Sequence, residues 1–558
     1  MTDLNRYSRH VTQPPARAAA QAILHGAGLA PADLDKPQVA IAPVWYEGST
    51  CNLHTLALAA TIKAGVQATG MVAFRAATPG VNDAIAMGSA GMRYSLPSRE
   101  LIAESLETLV AAHGYDGLIA VPGCDKNLPG ALLAIARLDR PALVVFGGTI
   151  APGRLGGETI DVISAFQSCG ERLAGRLDAQ RQAEIIRHAC PGAGACGGMY
   201  TASTMALVIE VMGLALPYSA SAPALSEAKQ AECRQAGPTL HQAMALDLRP
   251  SRLLTRAAFE NALVVVMVTG GSTNAVLHLL ALARAVGVPL TLADVQAASE
   301  RVPRLADMKP SGRYLMADLH AAGGSPALFR YLLAADLLDG DCLTITGRTL
   351  AASLAELPAL NPGQEVIRPL TRPLQPQGHI RVLHGDLAPA GAVAKTAFAP
   401  TACFTGPAHV FDTEAAVLEA LTAGRIAAGS VVVIRYQGPV GGPGMPEMLS
   451  ATAALVGAGF GETVALITDG RFSGGSHGLL VGHVTPEAQL GGPLALVADG
   501  DCLRIDLAAG RLDWLVPAAE REARRARWRA PASTVRAGCL RRYARTVGPA
   551  SEGCLTDG

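Results

Sequence analysis

Residues 99–148 read RELIAESLETLVAAHGYDGLIAVPGCDKNLPGALLAIARLDRPALVVFGG, and this stretch decides the fold. Leu101, Ile102, Leu106, Leu109 and Val110 recur at helical spacing. Ser98 offers a capping oxygen at the start of that helix, and His113-Gly114 offers a natural stop. Gly117–Val121 then reads as a short buried strand. Pro122 to Lys126 reads as a loop, with Pro129 placed to open the next helix. Pro141–Phe146 reads as a second buried strand, ending at Gly147-Gly148. Strand, helix and strand at this spacing predict a parallel α/β sheet. Ligands of such sheets bind outside the carboxyl ends of the strands, and Cys124-Asp125-Lys126 falls at such an end.

Working outward, Pro358, Pro362, Pro369, Pro373 and Pro376 crowd one segment. Prolines at that density do not fit a helix or a central strand. The expected division is an N-terminal α/β domain over 1–365, with its parallel sheet flanked by helices, and a C-terminal domain over 378–558. In the second, 430–436 and 464–468 are β-rich runs between Gly-rich loops, which predicts a β-rich, barrel-like α/β domain. GDCLTIT (340–346) and GDCLRID (500–506) are alike, a weak sign of a repeat. The arginines of 520–529 are read as a solvated helical face or a subunit contact.

Composition narrows the function. Half of the 558 residues are apolar and 16% are charged, which excludes a disordered chain. Lys plus Arg and Asp plus Glu are both 46, so the chain has no global charge with which to hold nucleic acid or an anionic membrane. Aromatics at 4% argue against a base-stacking platform. Eleven cysteines form an odd, sparse set, unlike a secreted disulfide scaffold. The first residues, MTDLNRYSRH, hold no apolar signal segment. The apolar stretch 261–290 is broken by Gly270, Gly271, Ser272, Thr273, Asn274 and His278, so it lacks the ~20 apolar residues of a membrane helix. The expectation is a soluble, cytoplasmic protein.

Five stretches could carry chemistry. In Cys124-Asp125-Lys126 a soft thiolate adjoins a hard carboxylate, a pairing that suits two different metals; a buried cysteine beside a surface ion pair is the plainer alternative. Cys190 and Cys196 share a Gly-rich loop, but their spacing matches neither zinc nor ferredoxin runs. Cys51 and His54 form a weaker pair still. Glu447 lies in Gly442-Pro443-Gly444-Met445-Pro446-Glu447, where the loop would hold its carboxylate fixed for a hard cation. In TDGRFSGGSHG (468–478), the loop could cradle a phosphate or present Ser473 as a reactive hydroxyl.

Together these stretches resemble the dihydroxy-acid dehydratase family, in a group that includes phosphogluconate and sugar-acid dehydratases. The matching text is CNLH (51–54), GVNDAIAMGSAGMRYSLPSRELIAES (80–105), GCDKNLPG (123–130), CPGAGACGGMYTASTMA (190–206), DMKPSGRYLMADLH (307–320), RYQGPVGGPGMPEML (435–449) and TDGRFSGGSHG (468–478). The resemblance implies that Cys51, Cys124 and Cys196 hold an iron–sulfur cluster with one iron left open, 2Fe–2S in preference to 4Fe–4S, and that Cys190 is no ligand. It implies a Mg²⁺ site at Asp83, Asp125 and Glu447, with Lys126 carbamylated in some members. It implies Ser473 as the general base and a homodimer as the assembly.

The activity implied is dehydration of 2,3-dihydroxy-3-methylbutanoate and its methylpentanoate homologue to 2-oxo acids, in valine and isoleucine synthesis. A sugar-acid dehydratase is the alternative. A non-catalytic cluster carrier would need the cysteines but not Ser473, Asp83 or Glu447. Gln437, Asp386 and Asn82 depart from the family's usual Glu, Asn and Ser, and His477 stands at a variable position. None of these removes an expected ligand or the base, but Gln437 bears on the choice of substrate.

Overall fold

The computed structural model describes residues 4–173, 175–397, 401–533 and 535–557. Strands β1 (Gln38–Pro43), β2 (Val72–Arg75), β3 (Gly117–Val121) and β4 (Ala142–Val144) form a sheet in the order β2-β1-β3-β4. Every pairing in it is parallel. β1 and β3 are buried along their whole length, as expected of strands covered on both faces by helices. Helices Ser95–His113 and Asn127–Leu138 flank β3 and pack on each other.

The first helix ends as the sequence predicts, with Gly114 left-handed, but it starts earlier. Ser98 is not its cap; it lies in the first turn and its hydroxyl donates to the Ser95 carbonyl. Pro129 likewise falls inside the first turn of a helix that begins at Asn127. The apolar stretch 261–290 belongs to two helices, Arg256–Thr269 and Asn274–Ala285, separated at Gly270. Among the described residues no helix is long and apolar enough to cross a membrane.

A short hairpin, β5 (Gly153–Leu155) and β6 (Glu158–Ile160), follows the first sheet. The second sheet has eight strands: β7 (Ile380–Leu383), β8 (Gly391–Lys395), β9 (Cys403–Phe411), β10 (Val431–Ile434), β11 (Ala465–Thr468), β12 (Leu479–Thr485), β13 (Cys502–Asp506) and β14 (Arg511–Trp514). Their order is β14-β13-β9-β10-β11-β12-β8-β7. β9 to β12 run parallel, and the flanking pairs are antiparallel.

His384, just after β7, bridges Arg511 at the start of β14, so the two edges meet and the sheet nearly closes. Alternation along β10 shows the consequence. Val431 and Val433 join the core that also holds Leu503, Leu512 and Trp514. Val432 and Ile434 face a second apolar layer, with Val417 and Leu455 from outer helices.

The resemblance between 340–346 and 500–506 does not extend to structure. Residues 502–506 are β13, whereas 340–346 form a turn whose Leu343 makes one isolated bridge to Thr349.

Candidate functional site

The expected site residues lie after strand ends, except Cys196, which comes from the loop between helices Ala179–His188 and Thr201–Val211. Cys51 follows β1, Asp83 follows β2 and Cys124-Asp125-Lys126 follow β3. Glu447 follows β10 and Ser473 follows β11. The carboxyl ends of parallel strands from both sheets thus supply one place. A single cavity with an empty volume of about 520 Å³ is lined by Cys51, Cys124, Cys196, Asp83, Asp125, Glu447 and Ser473. Its apolar wall includes Met87, Val162, Phe166 and Leu449.

The cysteine loops are tied together by backbone proximity and by amides. A Cβ at Gly123 would lie 1.9 Å from the Cys51 carbonyl oxygen, so only glycine lets the two loops approach this closely. Asn127 Oδ1 accepts the Cys124 amide at 2.9 Å and Asn52 Nδ2 at 2.8 Å. Asn82 donates to Ser49 Oγ at 2.8 Å and approaches Cys51 Sγ at 3.6 Å. The departure at Asn82 therefore adds a donor beside the sulfur.

Cys51 interacts with both Cys124 and Cys196, and all three are free thiols. The contact with Cys124 favours the Cys51 thiolate, but the contact with Cys196 and burial outweigh it and push the thiol up. Cys124 is also pushed up, by its contact with Cys51 and by burial. A metal bound here would have to displace those protons. Cys190, expected not to be a ligand, is exposed and lines an adjoining cavity, which meets the first at Cys51, Asn82 and Cys196.

Beside the thiols lies a buried charge cluster. One oxygen each of Asp83, Asp125 and Glu447 fall within 4.8 Å of one another. Lys126 Nζ, fully buried, donates to Asp83 Oδ2 at 2.9 Å, to Glu447 Oε1 at 3.2 Å and, in a very short contact, to Asp125. Burial and the nearby Arg471 oppose its charge, yet the three carboxylates hold the Lys126 ammonium well above its ordinary range. Burial pushes Asp125 up to about 7. Burial also opposes the Glu447 charge, but Lys126 and Arg471 hold that carboxyl below its usual range.

Asp83 Oδ1 is buried without a hydrogen-bond partner among the described residues, although Oδ2 also accepts from Ser95. Three converging free thiols fit an iron–sulfur group. An unpartnered carboxylate oxygen among three acids fits a hard divalent cation.

The structure adds residues that the sequence did not single out. Arg471, fully buried, donates through Nη1 to Glu447 Oε1 at 2.6 Å and through Nε to the Met445 carbonyl at 2.7 Å. Asn274 Nδ2 donates to the same Glu447 oxygen at 2.7 Å. The loop between them is pressed onto its surroundings: Gly444 is left-handed, and a Cβ there would meet the Arg93 carbonyl oxygen at 1.7 Å. Arg471 lies within TDGRFSGGSHG (468–478), but nothing in the sequence shows that its guanidinium is buried. Asn274 carried no signal either.

Gln437 and Asp386 do not reach the cavity. The Gln437 side chain donates to the Asp412 carbonyl at 2.7 Å, and Asp386 pairs with Arg521 at 3.0 Å.

Comparison with known proteins gives the same grouping. The model described as "Dihydroxy-acid/6-phosphogluconate dehydratase N-terminal" matches residues 36–353, and its C-terminal counterpart matches 365–554. The chain is 54% identical to the chloroplastic dihydroxy-acid dehydratase of Arabidopsis thaliana, covering 99% of this chain and 91% of that one. It is 50% identical to the dihydroxy-acid dehydratase of Francisella tularensis subsp. novicida, covering 99% of both. It is 51% identical to the mitochondrial dihydroxy-acid dehydratase of Schizosaccharomyces pombe, covering 99% of this chain and 94% of that one. With family models spanning both halves and relatives matched end to end, the chain belongs to the dihydroxy-acid/6-phosphogluconate dehydratase family.

Proposed function

We propose that this protein is a hydro-lyase converting 2,3-dihydroxy-3-methylbutanoate, and its methylpentanoate homologue, to the 2-oxo acid in branched-chain amino acid synthesis. The observation that carries the reading is the single cavity shared by three cysteines, three carboxylates and Ser473. End-to-end identity to proteins named dihydroxy-acid dehydratase supports this substrate over a sugar acid.

Cys51, Cys124 and Cys196 would hold an iron–sulfur cluster, 2Fe–2S in this reading. Asp83, Asp125 and Glu447, with Lys126 among them, would hold Mg²⁺. Bound there, the two groups supply Lewis acidity toward the substrate's carboxylate and hydroxyl oxygens, with no net redox change.

The chain's own part is positioning and proton transfer. Ser473 Oγ, as alkoxide, takes the proton from carbon 2, hydroxide leaves carbon 3 and receives that proton from Ser473 to become water, and the enol tautomerises to the 2-oxo acid. Met87, Val162, Phe166 and Leu449 give the substrate's alkyl end an apolar wall and keep water from the reacting carbons. Asn274 and Arg471 fill one oxygen of Glu447 with donors, which fixes how the carboxylate is turned.

The assay is 2-oxo acid release from the dihydroxymethylbutanoate and from an aldonic acid, side by side. Turnover of the branched acid is expected, and activity on aldonic acids alone would overturn the substrate. We further propose a homodimer, checked by sedimentation, with a stable active monomer as the contrary result. Eleven free cysteines support a reducing, cytoplasmic location. Cell fractionation tests it, and recovery in an organelle would contradict it.

A further inference from the structure

Lys395, the last residue of β8, is a buried lysine with no part in the mechanism above. Its Nζ donates to the Gly474 carbonyl at 2.7 Å and to the Ser476 carbonyl at 3.3 Å. Both carbonyls belong to the loop that carries Ser473. The peptide unit joining Gly474 to Gly475 is engaged at both ends, because the Gly475 N–H donates to Ser473 Oγ at 3.3 Å. Ammonium, carbonyl, amide N–H and serine oxygen therefore form one chain of hydrogen bonds through a single peptide group.

Hydrogen bonds linked in this way polarise one another, and the effect is larger where the dielectric is low. A charge-assisted bond at the carbonyl makes the N–H at the other end a stronger donor.

We propose that Lys395 is a positioning residue that acts through the 474–475 peptide, aiming the serine loop and stabilising negative charge on Ser473 Oγ. This rests on the reading of Ser473 as the base. Each time Ser473 hands its proton to the departing hydroxide as water, it is left as the alkoxide that accepts the next carbon 2 proton; in that state the Gly475 N–H faces an anionic oxygen, and the Lys395 charge stabilises it from behind. Among the described residues, Arg304, His379 and His477 lie near Lys395. Asp83, Asp125 and Glu447 share the cavity with Ser473. Burial, with Arg304 nearby, pulls the Lys395 ammonium down to about 7, and an anionic serine would hold the proton on it.

The test compares holoenzyme kcat and KM across pH for wild type, Lys395→Met, Lys395→Arg and Ser473→Ala. Loss of one charge-assisted hydrogen bond predicts a fall in kcat of about 10- to 100-fold at neutral pH for Lys395→Met. KM should change little, the deficit should shrink as pH rises, and Lys395→Arg should recover most of the rate. A Lys395→Met deficit of the same factor at every pH, an absent deficit, or no recovery in Lys395→Arg would overturn the proposal. Turnover by Ser473→Ala would instead overturn the assignment of the base. Cluster absorbance and thermal unfolding are followed for each variant. If Lys395→Met does not fold, Lys395→Gln, which keeps an N–H donor without charge, is read by the same criterion.

Discussion

The side-chain amides of Asn52 and Asn127 are hydrogen-bonded to each other at 2.8 Å, inside the protein and across 75 residues of sequence. Asn52 follows Cys51 directly, and Asn127 Oδ1 also accepts the Cys124 amide. One pair of carboxamides thus sets the separation of two of the three cysteine loops. Replacing Asn127 by Leu leaves two buried donors without their acceptor, at about 1–3 kcal/mol each. Denaturant unfolding should show that loss, and iron content after anaerobic reconstitution should fall with it. Unchanged iron content would mean the amide pair does not set the cysteine geometry.

Gly123→Ala is a sharper form of the same test. The added methyl would collide with the Cys51 carbonyl, and a backbone atom cannot swing aside as a side-chain tip can. The variant should fold its sheets but load little iron. Full loading would show that the loops can part without harm.

Glu447 balances two fully buried cations, Lys126 and Arg471. Removing one partner of a buried ion pair costs about 3–5 kcal/mol, because the remaining charge stays buried. Glu447→Gln should therefore lose stability on that scale and lose saturable Mg²⁺ binding in calorimetry. Retained Mg²⁺ affinity would remove Glu447 from the ligand set.

His379 gives a pH dependence of stability. Its Nε2 hydrogen-bonds the Gly271 carbonyl, and burial pulls the ring's protonation down to about 3. The folded protein thus keeps the ring neutral where the unfolded chain, with a value of about 6.5, would protonate it. The stability from this group is present above pH ~6.5 and is lost as pH falls toward about 3, at up to ~1.4 kcal/mol per pH unit. His379→Gln should flatten that slope in denaturant titrations between these limits. An unaltered slope would assign the acid sensitivity elsewhere.

Local patterns were legible wherever the pairing partner did not matter. β3 falls on the five residues read as a strand, and the helix before it stops at the glycine read as its cap. The helix start was misread because a serine within a first turn looks like a cap until its hydroxyl is seen bonding the Ser95 carbonyl. GDCLTIT and GDCLRID diverge because residues 502–506 have β9 and β14 to pair with, whereas 340–346 pair with no strand among the described residues. Sheet closure depends on His384 meeting Arg511, a contact that no local window contains.

At the site, motif resemblance picked out the cysteines, acids and serine. The supports of Glu447 were missed because they arrive from Asn274, 173 residues away, and from Arg471, whose guanidinium could as well have faced solvent.

The most direct test of the central claim counts iron and acid-labile sulfide per chain after anaerobic purification, in wild type and in Cys51→Ser, Cys124→Ser, Cys196→Ser and Cys190→Ser. The account predicts about two of each in wild type and in Cys190→Ser, with heavy loss in the other three variants. Wild-type protein without sulfide, or a Cys190→Ser variant as depleted as Cys196→Ser, would contradict it.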